Sequence, residues 1–218
     1  MNAELKPAEA PVRKKPKVRW KTWWMHQLHT WHWMSAAVSL IGMLAFAITG
    51  VTLNHSASIG ADPVVTHKTA TLDKSLLAGL AKPFAKDAPL PAPVARRVAA
   101  LTGLDPAGRS VEWSDDEAYV ALPRPGGDGW VSIDRASGAI ESEVTNRGWL
   151  SYLNDLHKGR NAGPVWFWFI DLFAAACIVF TVTGLLLLQL MARNRKLTWP
   201  LVASGLVVPF LLALFFIH

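Results

Sequence analysis

The sequence predicts an integral membrane protein with three transmembrane helices and an extracytoplasmic α+β domain inserted between the first and second. Three observations carry that fold class. The chain is 51% hydrophobic and only 17% charged over 218 residues. Its apolar residues gather in three runs, 33–53, 164–191 and 199–217, each close to the ~20 residues that cross a hydrocarbon core. Between the first two runs lies a polar stretch, 56–163, with 12 Lys/Arg and 13 Asp/Glu.

Residues 1–27 form a basic N-terminal segment. The first membrane helix is expected over 28–55. In hydrocarbon each backbone amide needs a partner within its own segment, so the apolar runs read as helices. The run 33–53 is too long for a signal-peptide core and no A-x-A site follows it, so it reads as an uncleaved helix. The second helix is expected over 164–191, a short loop over 192–198, and the third helix over 199–218. Pro209 falls inside the third, and Asp171 is the one charge within any of the three runs.

In the domain 56–163, residues 56–90 read as irregular, broken by Pro63, Pro83 and Pro89. "APVARRVAALTGL" (92–104) has helical apolar spacing and stops at Gly103. "SVEWSDDEAYVALP" and "DGWVSIDRASGAIESEV" alternate polar and apolar residues, the pattern of half-buried strands. One helix followed by three or four antiparallel strands is the minimal reading. "GWLSYLNDLHKGRNAG" (148–163) reads as an amphipathic helix ending near Gly159, with Pro164 in the first turn of the next helix.

Charge predicts the orientation. Seven Lys/Arg precede Trp31 against two Glu, and the loop before the third helix adds Arg193, Arg195 and Lys196. Both flanks belong in the cytoplasm by the positive-inside rule, which puts the domain and His218 outside. The basic tail is short and juxtamembrane, so it meets anionic lipid, not nucleic acid. The single cysteine, Cys177, excludes an intrachain disulfide and a Cys-x-x-Cys-His haem attachment. No Gly-rich dinucleotide fingerprint or Walker loop is present, so NAD, flavin or ATP chemistry would come from another protein.

A helix followed by a sheet with "VSIDRASGAI" resembles the PepSY module. "LHTWHWMSAAVSLIGMLAFAITGVTLNH" and "LNDLHKGRNAG…FIDLFAAACIVFTVTGLLLL", with Thr–Gly at 49–50 and again at 183–184, resemble the PepSY-associated transmembrane family. The likeness covers nearly the whole chain beyond about residue 25. It implies a PepSY-like domain, a bacterial inner-membrane location, and kinship with ferric and siderophore-iron reductases of the FoxB and VciB kinds, which carry haem b.

The histidines fit that expectation. His26, His29 and His32 lie at the cytoplasmic end of the first helix, while His55, His157 and His218 lie at the outer level; only His67 is away from a membrane edge. The 23 residues from His32 to His55 span about 35 Å as helix, too far for one iron to bind both. Two axial imidazoles on a haem leave no open position, which suits electron transfer. The expected outer haem uses two of His55, His157 and His218. A second site near His29 and His32 needs an opposing ligand, and Gln189, Met191 and Asn194 are the nearby alternatives to a facing chain. Haem b is thus expected as one or two per chain, or shared across a homodimer.

Gly42, Gly50 and Gly184 offer close approach to a flat macrocycle or serve plain helix packing. Asp171, an intramembrane carboxylate, reads as a proton carrier or as the group that orients a ligand imidazole. Asp115, Asp116 and Glu117 offer hard oxygen donors to ferric iron, and equally read as a solvated turn. The leading function is a haem b transmembrane reductase, fed by a quinol or a cytoplasmic reductase and delivering electrons to ferric iron or a ferric chelate outside. The rivals are a non-enzymatic PepSY-type regulatory or binding protein, and an accessory subunit of metal uptake with His26, His29 and His32 as a relay.

Overall fold

The computed structural model describes residues 20–59, 62–192 and 195–217. His218, Arg193 and Asn194 lie outside them. Helix α1 spans Trp20–Asn54, 35 residues, or about 52 Å. It therefore starts eight residues before the expected boundary at 28. Nothing between Trp20 and Trp31 breaks a helix, since "WKTWWMHQLHTW" contains neither Gly nor Pro. Along α1 a seam of mostly small residues recurs every three or four positions: His32, Ser35, Ser39, Gly42, Phe46 and Thr49. Ser35 and Ser39 are buried, and their hydroxyls bond back to carbonyls one turn earlier. Small residues let helices approach closely in a membrane.

Strand β1 (Val64–Thr71) and the one-turn helix α2 (Lys74–Leu77) follow. They correct the expectation of an irregular 56–90. Helix α3 (Ala92–Thr102) ends on Gly103, whose φ of 79° suits a residue without a Cβ. Four strands come next: β2 (Glu112–Trp113), β3 (Glu117–Ala121), β4 (Gly127–Asp134) and β5 (Ala139–Asn146). They join β1 in one antiparallel sheet of order β1-β5-β4-β3-β2. Residues of β4 alternate between buried and half-buried, as a sheet covered on one face requires. Val94, Ala95 and Val98 of α3 join Val120, Val131, Ile133 and Ile140 of the sheet in the buried core.

Helix α4 (Gly148–Lys158) is followed by α5 (Gly163–Met191) and α6 (Thr198–Phe216). Pro164 sits in the first turn of α5 and Pro209 inside α6. Helices α1, α5 and α6 are long and apolar enough to cross a membrane, and the sheet-containing region lies between the first two. The chain divides into two compact units, Met1–Ser39 with Ala176–His218, and Leu40–Ala175.

Candidate histidine ligand sites

The first site lies wholly in the unit that holds the N-terminal part of α1. His32 is half-buried. Its Nδ1 is 3.1 Å from the carbonyl oxygen of Phe180 and 3.1 Å from Thr183 Oγ1, both on α5. The imidazole stacks on the Phe180 ring with centroids 4.7 Å apart. Gly184 makes room for it: a Cβ there would lie 3.1 Å from His32 Cε1, tighter than side chains normally tolerate. Beside the imidazole is a cavity of about 400 Å³, with His29, His32, Leu187, Leu188, Met191 and Arg195 among its walls. The cavity thus combines two imidazoles, a thioether and a guanidinium with aliphatic walls.

The second site lies wholly in the other unit. His157 is in the last turn of α4, which ends where Gly159 turns left-handed (φ 67°) and its N–H bonds back to Asp155 and Leu156. The His157 Nδ1 is 2.7 Å from Thr49 Oγ1 of α1. Gly50 lies beside the ring, where a Cβ would come 3.6 Å from His157 Cε1, and the Phe46 ring is 5.0 Å away. One turn earlier, the Thr52 hydroxyl lies 3.0 Å from Asn154 Oδ1 and 2.9 Å from the Thr49 carbonyl. On the far side, Trp166 Nε1 of α5 donates to the Leu156 carbonyl at 2.8 Å. Helix α4 is therefore fixed against α1 by two side chains three residues apart, the spacing that shares one helix face.

The two sites have the same composition. Each sets an imidazole Nδ1 against the threonine of a Thr–Gly pair, and each places the adjoining glycine against the ring edge. The sequence displays both Thr–Gly pairs, but their role as histidine seats depends on contacts between helices far apart in the chain.

The remaining candidates are placed as follows. His29 is exposed and joins His32 at the cavity wall. His55 is exposed just beyond α1, with its Nδ1 3.0 Å from the Val51 carbonyl. His157 and His55 share no hydrogen bond, and His218 lies outside the described residues. His26 is exposed. His67 faces Glu143 at 3.5 Å across the β1–β5 pair, a cross-strand contact within the sheet.

Asp171 is exposed on α5 and bonds to no histidine among the described residues. Asp115 and Asp116 form the bend between β2 and β3, where their carbonyls accept from Arg135. Glu117 bonds the Ser132 hydroxyl instead of pointing its carboxylate at a shared centre with them. Among the described residues no group of three or more His, Cys, Asp or Glu is arranged to hold a metal ion. A further cavity of about 500 Å³, lined by Arg124, Trp149 and Tyr152 among others, contains no histidine.

Residues 23–218 match the family model PepSY_TM_like_2, whose description is PepSY_TM-like. No curated protein and no solved structure matches the chain.

Proposed function

The chain belongs to the PepSY_TM-like family, and from that premise we propose that it is a haem b electron-transfer protein of a bacterial inner membrane, reducing ferric iron or a ferric chelate on the outer side. The observation that carries this reading is the pair of half-buried imidazoles, His32 and His157, each seated on a Thr–Gly pair of a neighbouring helix. A haem asks a protein for only one or two axial donors and an apolar enclosure. The donor set fits: both imidazoles use Nδ1 for a hydrogen bond, which leaves Nε2 uncommitted. Haem, when bound, supplies a one-electron couple that the side chains themselves lack.

At the first site His32 would hold the iron, with Leu187 and Leu188 against the macrocycle and Arg195 available to its carboxylates. His29 and His32 lie on one side of α1, so they do not sandwich a flat ring. Met191, on the cavity wall, or a second copy of the chain in a twofold dimer would supply a second ligand. At the second site His157 would hold the iron, with His55 as the partner in the chain. The positive flanks support an orientation with the N-terminus and the α5–α6 loop in the cytoplasm and the sheet domain in the periplasm. Electrons would enter from a quinol or a cytoplasmic reductase.

An optical spectrum of the purified full-length protein tests this reading. A reducible b-type Soret and α band is expected. The His32→Ala and His157→Ala variants should each lose part of the haem per chain while still inserting. Protein from haem-supplied cells that shows no Soret absorption would overturn the proposal.

A further inference from the structure

We propose that Thr49 is a positioning residue: it fixes the proton of His157 on Nδ1, so that Nε2 is the nitrogen offered to a ligand, a role that at His32 the Phe180 carbonyl fills with Thr183 beside it. The hydrogen-bond inventory carries this. The Thr49 hydroxyl lies 3.0 Å from the Ala45 carbonyl and 3.1 Å from that of Phe46, and donates its one proton there. The Thr183 hydroxyl donates in the same way to the carbonyls of Val179 at 2.6 Å and Phe180 at 3.0 Å. Such bonds back to the preceding turn are the usual arrangement for a threonine inside a helix. A hydroxyl has one proton to give, so each oxygen turns only a lone pair toward its imidazole. The imidazole nitrogen facing it must then donate. For His32 a second acceptor says the same: the Phe180 carbonyl, 3.1 Å from Nδ1, has no proton to give.

The two histidines differ in one respect that makes the proposal testable. His32 keeps a backbone acceptor if Thr183 is removed. His157 has Thr49 as its one hydrogen-bond partner among the described residues. Loss of Thr49 therefore frees the His157 proton to move to Nε2, the tautomer that free histidine prefers, whereas loss of Thr183 leaves His32 as it was. The proton placement stands on these bonds alone. Its meaning for iron rests on the haem reading, because a partner for Nδ1–H fixes the ring and raises the basicity of the nitrogen that binds the metal.

The test uses full-length, haem-free protein in detergent, with histidine labelled with nitrogen-15. Signals are assigned by difference against His32→Gln and His157→Gln. At a pH where the rings are neutral, both histidines are expected as the Nδ1–H tautomer. Thr49→Val should shift His157 toward Nε2–H, Thr49→Ser should restore it, and Thr183→Val should leave His32 unchanged. In haem-loaded protein, Thr49→Val should raise the reduction potential of the haem at His157 and Thr49→Ser should return it to the wild-type value. His157 found protonated on Nε2 in the wild type, or unmoved by Thr49→Val, overturns the proposal. The expected tautomers in a protein that never takes up haem would uphold the positioning role and sink the haem reading.

Discussion

Asp134 shows how one carboxylate can set a turn. Its Oδ1 accepts from the backbone N–H groups of Ala136 and Ser137 and from the Ser137 hydroxyl, and Gly138 completes the β4–β5 turn at φ 74°. Donation from Ser137, backbone first and then side chain, holds the Asp134 carboxyl below its ordinary range. A lowered folded-state pKa means that ionised Asp134 favours the turn above the unfolded value of about 3.9. That contribution is lost as pH falls through the folded value. Protection of the amides of residues 136–138, taken relative to their intrinsic exchange rate at each pH, should therefore fall on acidification below about pH 4 in the wild type, and Asp134→Asn should remove most of that pH dependence. An unchanged acid response in the variant would mean that the turn is held by other groups. "DRASG" made this turn readable, because Asp, Ser and Gly are turn chemistry. The seats of His32 and His157 were not readable in that way. Both histidines stood out by position, but Thr183 and Thr49 reach them across 151 and 108 residues of chain, a distance no local spacing encodes.

Among the elements, the segment between α2 and α3 is held from outside itself. The guanidinium of Arg135 donates to the carbonyls of Leu80 at 2.9 and 3.0 Å, of Lys82 at 2.9 Å and of Ser114, and lies 5.6 Å from the Trp113 ring centroid. Trp113 stacks on Phe84 and donates its indole N–H to the Ala88 carbonyl at 2.7 Å. A lysine ammonium is a compact charge and does not reproduce this fork. Arg135→Lys should loosen residues 80–88 by about 2 kcal/mol, read as faster amide exchange there while α3 and β4 keep their protection. Uniform exchange across the domain would contradict that local role. The strands β3, β4 and β5 were legible because one face is buried, which writes alternation into the sequence. β1 was not. Nearly all of "VVTHKTAT" is exposed on both faces, so its strand character comes from pairing with β5, not from a pattern of its own. The early start of α1 was hidden for a related reason: polarity ends the apolar run near Trp33, but a helix can continue through polar residues beyond the apolar run.

For the whole molecule, three membrane-crossing helices were legible because hydrocarbon demands length and apolarity together. Which side each loop occupies is a matter of charge, and the single cysteine makes it measurable. Cys177 lies in the middle of α5, so cysteines placed elsewhere report cleanly against it. Ala136→Cys, in the exposed β4–β5 turn, should react with a membrane-impermeant maleimide from the periplasmic side of intact membranes. Lys196→Cys should react only after permeabilisation. The reverse pattern would invert the orientation. The sheet adds a geometric consequence. Its first and last strands are neighbours, with Val64 opposite Asn146 at the end where the chain enters and leaves, so the entry and exit points are about 5 Å apart. However many residues the sheet contains, the membrane segments on either side see it as a hairpin. Lengthening or trimming the β2–β3 or β4–β5 connections changes the size of this parenthesis without changing the gap it closes. The domain can thus be remodelled at its far rim while the chain returns to α4, and to the seat of His157, at the same place.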